Sequence, residues 1–305
     1  MRLVLIGQAD FGKAALEALL GAGHQVVGVI TPPDLPGEKP NPVKVFCLEK
    51  GLNLLQPKSL RGQRVYNWVK DLTPDLLVLA YVTQFVPQAV IDLARYGGIN
   101  YHPSLLPKYR GGTAINWAII NGEKETGVTI HYIDAGVDTG DIILQRAVPI
   151  APEDDVLTLY FNKLFPLGIE LLVQAVDLIE KGQAPRLPQD ESQASFQPVL
   201  KEADTIINWS DPAEKIYNLI RGSVPRPAAT TYYNGRVVKI TQAAWRPEDG
   251  TGLPGQVLAV GDEGFWVKTG QGSLLVKHGH LAGRKRGPAL ELVREIGLKV
   301  GDRLG

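Results

Sequence analysis

A chain of 305 residues, 44% hydrophobic and 21% charged, is long enough to bury a sizeable core in one large or two ordinary domains without covalent staples. Its 32 basic residues balance its 32 acidic ones, which excludes a whole-molecule field for nucleic acid and leaves that role to a local patch. One cysteine, Cys47, excludes an internal disulfide framework and fits a reducing, cytoplasmic compartment.

The opening MRLVLIGQADFG carries one Arg and a short apolar run that breaks at Gly7, so Leu3–Ile6 reads as a first strand rather than a signal peptide. No apolar run approaches the ~20 residues of a membrane span, so no membrane partner is expected. A helix at Ala14–Leu20 and a strand at Gln25–Ile30 follow, then a loop rich in proline and charge, Thr31–Pro42. The alternation continues with helix Val43–Lys50, strand Asn53–Gln56, helix Arg64–Leu72, strand Leu76–Ala80, helix Pro87–Leu93 and strand Gly98–Tyr101. Strands separated by helices predict βαβ units and a parallel sheet. Ala114–Asn121 is helical; Thr129–Tyr132 and Asp141–Val148 form a strand pair around the loop Ile133–Gly140, and Leu157–Lys181 is a long helix. The polar, proline-containing Gly182–Ser195 reads as linker. Beyond it come a helix, Ala213–Arg221, and β runs from Pro225 to His280, with an Asn234-Gly235 hairpin turn and strands at Gln256–Val260, Gly264–Thr269 and Ser273–His278. These predict a small β-barrel with Trp245 and Trp266 in its core, closed by a helix near Pro288–Ile296.

Gly7 to Lys13 satisfies G-x-x-x-x-G-K, but Ala14 stands where a phosphate loop needs a hydroxyl for Mg²⁺. The segment reads as a tight strand-to-helix turn, with an anion at the helix N-terminus as the alternative. Asn100 and His102 lie two apart at the end of a strand, on one face, at the carboxyl edge where parallel sheets place ligands. A backbone-satisfied core histidine is the plainer alternative. Asp134, Asp138 and Asp141 crowd one loop that lacks calcium-loop spacing. A carboxylate there is suited to orienting an imidazole. His24 reads as surface, and His131, in a predicted strand, as packing or solvent-facing, with a place near the site as the alternative. His278 and His280 lack a third ligand, so no metal is expected. Lys277 with Arg284, Lys285 and Arg286 is the one dense basic cluster, a solvated turn or a phosphate contact.

NYHPSLLPKYRG together with GVDTGDIILQ resembles the 10-formyltetrahydrofolate-dependent formyltransferase family, and the likeness extends over nearly the whole chain to the tail GLKVGDRLG. The resemblance implies an α/β, Rossmann-like catalytic and folate-binding domain over 1–185, a linker over 186–205 and an OB-like β-barrel over 206–305. It implies 10-formyltetrahydrofolate as formyl-donor cosubstrate, no metal, and Asn100, His102 and Asp138 as catalytic. Attack on the formyl carbon builds an oxyanion that Asn donates to, while His moves the proton and Asp orients His. By the same resemblance the folate wall comprises Tyr81, Gln84, Phe85 and Val86 with Asp134, Gly136 and Asp141, and Ser104 and Arg110 border the acceptor. Three branches compete. NPVKVFCLEKGLNLLQP and Asn100 resemble methionyl-tRNA formyltransferase, although the Thr31–Pro42 loop is short and not strongly basic where that branch carries a basic insertion. TQFVP, RGGTAINW and INWSDPAEKIYNLIRG resemble the hydrolase domain of 10-formyltetrahydrofolate dehydrogenase, whose animal members have an apolar residue in place of Asn100. AINWAIINGEKETGVT resembles the branch that formylates amino-sugar nucleotides. Transfer to a primary amine, on initiator methionyl-tRNA or an amino-sugar nucleotide, is the leading expectation. Hydrolysis and a non-enzymatic RNA- or nucleotide-binding module are the alternatives.

Overall fold

The computed structural model describes residues 1–248 and 250–305. By contacts the chain divides into two compact units: 1–110 with 127–148 and 162–196, and 111–126 with 149–161 and 197–305.

The first unit opens with β1 (Arg2–Gly7), α1 (Ala9–Gly21), β2 (Gln25–Ile30), α2 (Pro42–Lys50), β3 (Leu54–Leu55), α3 (Gln63–Leu72), β4 (Leu76–Ala80), α4 (Gln88–Ile91) and β5 (Gly98–His102). These strands pair in parallel in the order β3-β2-β1-β4-β5, as the alternation predicts. After β6 (Arg110–Gly111) and α5 (Ala114–Ile120), the strands β7 (Glu125–Tyr132) and β8 (Ile142–Pro149) extend the sheet to seven. Strand β7 runs antiparallel to β5, so the sheet is mixed rather than purely parallel.

All of β4 is buried because both faces of a central strand are covered. Val4, Ile6, Leu77 and Leu79 pack with Val65, Val69, Val90 and Ile91 of α3 and α4. Side chains alternate along a strand, so Tyr101 points away from Asn100 and His102. Its ring stacks on Phe11 of α1 at 4.1 Å, and Phe11 meets Phe165 edge-on at 5.3 Å. A Cβ on Gly168 would fall 2.4 Å from Tyr101 Cε2, so only glycine lets that helix lie this close behind β5. That packing anchors the back of the strand whose front carries the candidate chemistry.

Helix α1 begins at Ala9, so Gly12 and Lys13 are already helical and do not form a phosphate-cradling loop. A Cβ on Gly12 would come within 3.0 Å of the Gly7 carbonyl carbon, which accounts for both glycines as a tight strand-to-helix turn. A continuous helical run of α6 (Val156–Leu159), a π turn (Tyr160–Leu164) and α7 (Phe165–Glu180) spans Val156–Glu180. It is long and apolar enough to cross a membrane by length and composition, contrary to the expectation that no run approaches a span. Its apolarity has a core explanation: α7 buries Leu167, Gly168, Leu171, Leu172, Ala175, Val176 and Ile179. His24 is buried rather than superficial, with Nε2 3.0 Å from Asp177 Oδ1.

After β9 (Phe196–Gln197), the second unit has α8 (Ala213–Ser223) and an antiparallel sheet of β10 (Ala229–Tyr233), β11 (Arg236–Arg246), β12 (Val257–Gly261), β13 (Gly264–Lys268), β14 (Ser273–Leu281) and β15 (Gly287–Pro288), followed by α9 (Ala289–Ile296). The path is β10-β11-β14-β13-β12, with β15 on β14 and no ladder joining β10 to β12 among the described residues. Asn234 and Gly235 both take positive φ in the β10–β11 hairpin, as its sequence requires. Trp209, Ile216, Ile220, Val238, Ile240, Phe265 and Val276 form the core. Trp245 and Trp266 do not: Trp245 is 38% exposed, and Trp266 is half-buried under the Arg246 guanidinium at 4.1 Å.

Candidate active site

The site begins with a register. Antiparallel pairing sets Asn100 opposite His131, and directly opposed residues project from the same face. Asn100 Nδ2 lies 3.3 Å from His131 Nε2 and donates to Asp138 Oδ1 at 3.3 Å. His102 Nδ1 is 3.5 Å from Asp138 Oδ2, and His131 Nε2 is 3.5 Å from Asp138 Oδ1. The three catalytic candidates therefore converge, and His131 joins them as a fourth member that sequence reasoning set aside. Its only signal was alternation along β7, which becomes informative once the register with β5 is known.

Asp138 arrives from the loop between β7 and β8. It holds φ +55°, a left-handed conformation that Asp adopts more readily than most residues. Asp134 shapes the approach: its Oδ1 accepts from Gly136 N at 3.0 Å and from Thr139 Oγ1 at 2.6 Å. A Cβ on Gly140 would sit 1.9 Å from the Tyr132 carbonyl oxygen, so that position admits no side chain.

Carbonyl oxygens only accept, so each histidine carries a proton on the nitrogen that faces one. His102 Nε2–H donates to Tyr109 O at 2.8 Å, leaving the Nδ1 lone pair toward Asp138. His131 Nδ1–H donates to Tyr132 O at 2.8 Å, which turns Nε2 toward Asn100 and Asp138. Burial pushes the His102 pKa below its ordinary value; Asp138 and the Tyr109 carbonyl pull it up, and His131 pushes it down again. The net direction is down, so the imidazole is neutral near pH 7 and presents a free lone pair.

An open pocket lies at the carboxyl ends of β1, β2 and β4, lined by Gly7, Gln8, Thr31, Pro32, Tyr81 and Gln84 among others. The structure thus brings Tyr81 and Gln84 to one cavity. Tyr81 is 47% exposed with φ +63°, and Gln84 bridges Leu60 N and Lys58 O. Phe85 and Val86 are not in that lining: Phe85 is exposed beside Arg61, and Val86 is buried in the core of the first unit. Asn100, His102 and Asp138 are not in it either. Asp134 and Gly136 lie in the exposed loop, and Asp141 sits 3.6 Å from Arg186. Ser104 is fully buried and donates to Lys108 O at 2.7 Å. Arg110 is buried, with its guanidinium on Gln189 and Glu191. Both polar groups hold the segment after β5 in place.

A profile of the formyl transferase family matches residues 1–176, and one of the formyl transferase C-terminal domain matches residues 199–297. The methionyl-tRNA formyltransferase of Pelotomaculum thermopropionicum is 41% identical over 311 residues, covering 100% of this chain and 99% of its own. That of Geobacter sulfurreducens is 39% identical over 310 residues, covering 100% and 97%. Among solved structures, WlaRD, a sugar 3N-formyl transferase crystallised in the presence of dTDP and 5-N-formyl-THF, shares the fold with a TM-score of 0.71. It is 21% identical and covers 93% of this chain and 99% of its own.

Proposed function

The chain belongs to the formyl transferase family, and we propose that it moves the formyl group of 10-formyltetrahydrofolate to the amino group of methionyl-tRNA. The observation that carries the acceptor is end-to-end similarity, at 39% and 41% identity, to two methionyl-tRNA formyltransferases. Hydrolysis, formylation of an amino-sugar nucleotide and a non-catalytic binding role have no comparable support. The acceptor places the reaction in the cytoplasm. Donor binding and chemistry are assigned to 1–185, followed by a linker over 186–205 and an acceptor-contacting C-terminal region over 206–305. The family matches at 1–176 and 199–297 support that division.

The geometry of four side chains supports the following reaction. The acceptor nitrogen attacks the formyl carbon, and a tetrahedral oxyanion develops. Asn100 turns one N–H from the Asp138 carboxylate to that oxygen, while His131 Nε2 holds the other. His102, neutral through burial, takes the proton of the attacking amine at Nδ1. Asp138, 3.5 Å away, stabilises the imidazolium. The bond from carbon to the folate nitrogen then breaks, and the proton passes to that nitrogen. Tyr81 and Gln84 line the pterin pocket, while Phe85 and Val86 follow them in the chain without lining it; Asp134, Gly136 and Asp141 act through the shape of the catalytic loop. Ser104 and Arg110 contribute by holding the acceptor-side loop.

The test is a formylation assay on the full chain with 10-formyltetrahydrofolate and three acceptors: methionyl-tRNA, an amino-sugar nucleotide and water. N-formylmethionyl-tRNA is the expected product. Formate release at the same rate without an amine would establish hydrolysis instead, and preferential sugar formylation would move the chain to another branch.

A further inference from the structure

Two halves of the candidate site come from separate places in the chain: His102 ends β5, and Asp138 sits in the loop after β7. A third segment bonds the Asp138 loop directly and reaches His102 through Tyr109. Leu187 exchanges two backbone hydrogen bonds with Ile142, at 2.8 and 3.1 Å, and so starts beside the end of the Asp138 loop. Gln189 Nε2 then donates to Asp138 O at 2.9 Å and to Gly140 O at 2.8 Å. Its Oε1 accepts from Arg110 Nε at 3.1 Å and Nη2 at 2.8 Å. Glu191 receives the other edge of the same guanidinium, at 2.9 and 2.7 Å. Ser195 Oγ accepts from Tyr109 N at 2.9 Å, and Tyr109 O is the acceptor that fixes the His102 tautomer. Ser195 O accepts from Arg110 N at 2.9 Å.

We propose that residues 187–195, linker by composition, form a catalytic strap, and that Gln189 is a positioning residue for Asp138 in the formyl transfer proposed above. Glutamine is suited to this place because its amide offers two N–H groups and two lone pairs, and all four are used. The Arg110 fork has donors only, so the Gln189 oxygen must face it and the nitrogen must face the loop carbonyls. Those two bonds, to Asp138 itself and to Gly140, hold the Asp138 backbone in its left-handed conformation, sparsely populated for any residue but glycine. The carboxylate is thereby held within reach of Asn100, His102 and His131 together. Glutamate at 189 would keep the volume and the Arg110 contact but set a carboxylate against two carbonyl oxygens.

The test uses the full chain with Gln189→Glu and Gln189→Met, measured by formylation of methionyl-tRNA, thermal melting and hydrogen exchange. Misplacing a reacting group by about 1 Å costs roughly 100-fold in rate, so kcat should fall about 10- to 100-fold in both variants. KM for the tRNA should stay within about twofold, the pattern of a group acting in the transition state. Exchange of the amides in 134–141 should quicken about tenfold, from local release of the loop. If wild type formylates and both variants keep kcat within about twofold per folded molecule, the strap has no catalytic effect and the inference fails. If wild type shows no transfer, the proposed function fails, and loop exchange decides the strap separately. Unchanged exchange in both variants overturns it whatever the reaction.

Discussion

At His102, burial and charge pull in opposite directions, and burial wins. The folded protein therefore releases this proton at a lower pH than an unfolded chain, whose histidine titrates near 6.5. The folded state binds fewer protons through that window. The His102 contribution to stability is thus fully present above about pH 6.5 and is lost as the pH falls toward the folded value. Histidine-labelled NMR, with His102→Gln for assignment, should give a His102 midpoint below 6.5. A midpoint above it would remove the neutral base from the mechanism. Asn100→Ala deletes the proposed oxyanion donor and should lower kcat about 100- to 1,000-fold. A rate near wild type would mean that the oxyanion is held elsewhere. The contrast between Asn100 and His131 shows what sequence carries at this scale. Asn100 and His102 are two apart on one strand, so alternation alone puts them on one face. His131 lies on another strand, and its side chain meets Asn100 only through an antiparallel register that no local pattern records.

The loop from 133 to 141 is the element whose chemistry and shape are both written locally. Its acids and glycines stand at fixed intervals, and each has a geometric reason: Asp134 bonds Gly136 and Thr139, and Gly140 lies under the Tyr132 carbonyl. Gly140→Ala puts a methyl against backbone that has no rotamer to move. Such overpacking costs about 1–3 kcal/mol, or several degrees of melting temperature in a chain of this size. Because the clash is two residues from Asp138, kcat should fall at least about tenfold even where the variant is fully folded. Calorimetry and formylation on the same sample separate the two effects; an unshifted Tm with full activity would show that the loop relaxes freely. The strap at 187–195 is the opposite case. It is polar and irregular, so it reads as linker. Its partners, Arg110, Asp138 and Gly140, lie 79, 51 and 49 residues away. Composition reports what a segment lacks for a core, and says nothing of long-range hydrogen bonds.

At the scale of the whole molecule, the βαβ order and the strands of the second, antiparallel sheet follow from the spacing of apolar runs, whereas the antiparallel addition of β7 to the first sheet does not. The compact units follow from contacts, and they interleave. Residues 111–126 and 149–161 cluster with the C-terminal part. Helix α5 buries Ala114, Ile115, Ala118 and Ile119. Gly222 of α8 comes so near that a Cβ there would lie 2.6 Å from Ile120 Cγ1, and Asn116 Nδ2 donates to Gly222 O at 2.8 Å. Arg221 Nη1 donates to Asp154 O at 2.7 Å, and Tyr217 donates to Pro152 O at 2.9 Å. A chain cut at residue 205 keeps α5 and the 149–161 segment but loses the helix they pack on. Re-exposing two isoleucines costs about 1.5–3 kcal/mol each, before the lost hydrogen bonds, against a typical total stability of 5–15 kcal/mol. The fragment 1–205 should therefore bind a hydrophobic dye and melt broadly, well below the full chain. A sharp, cooperative melt close to that of the full protein would show that 1–205 folds alone and that the contacts between α5 and α8 are dispensable.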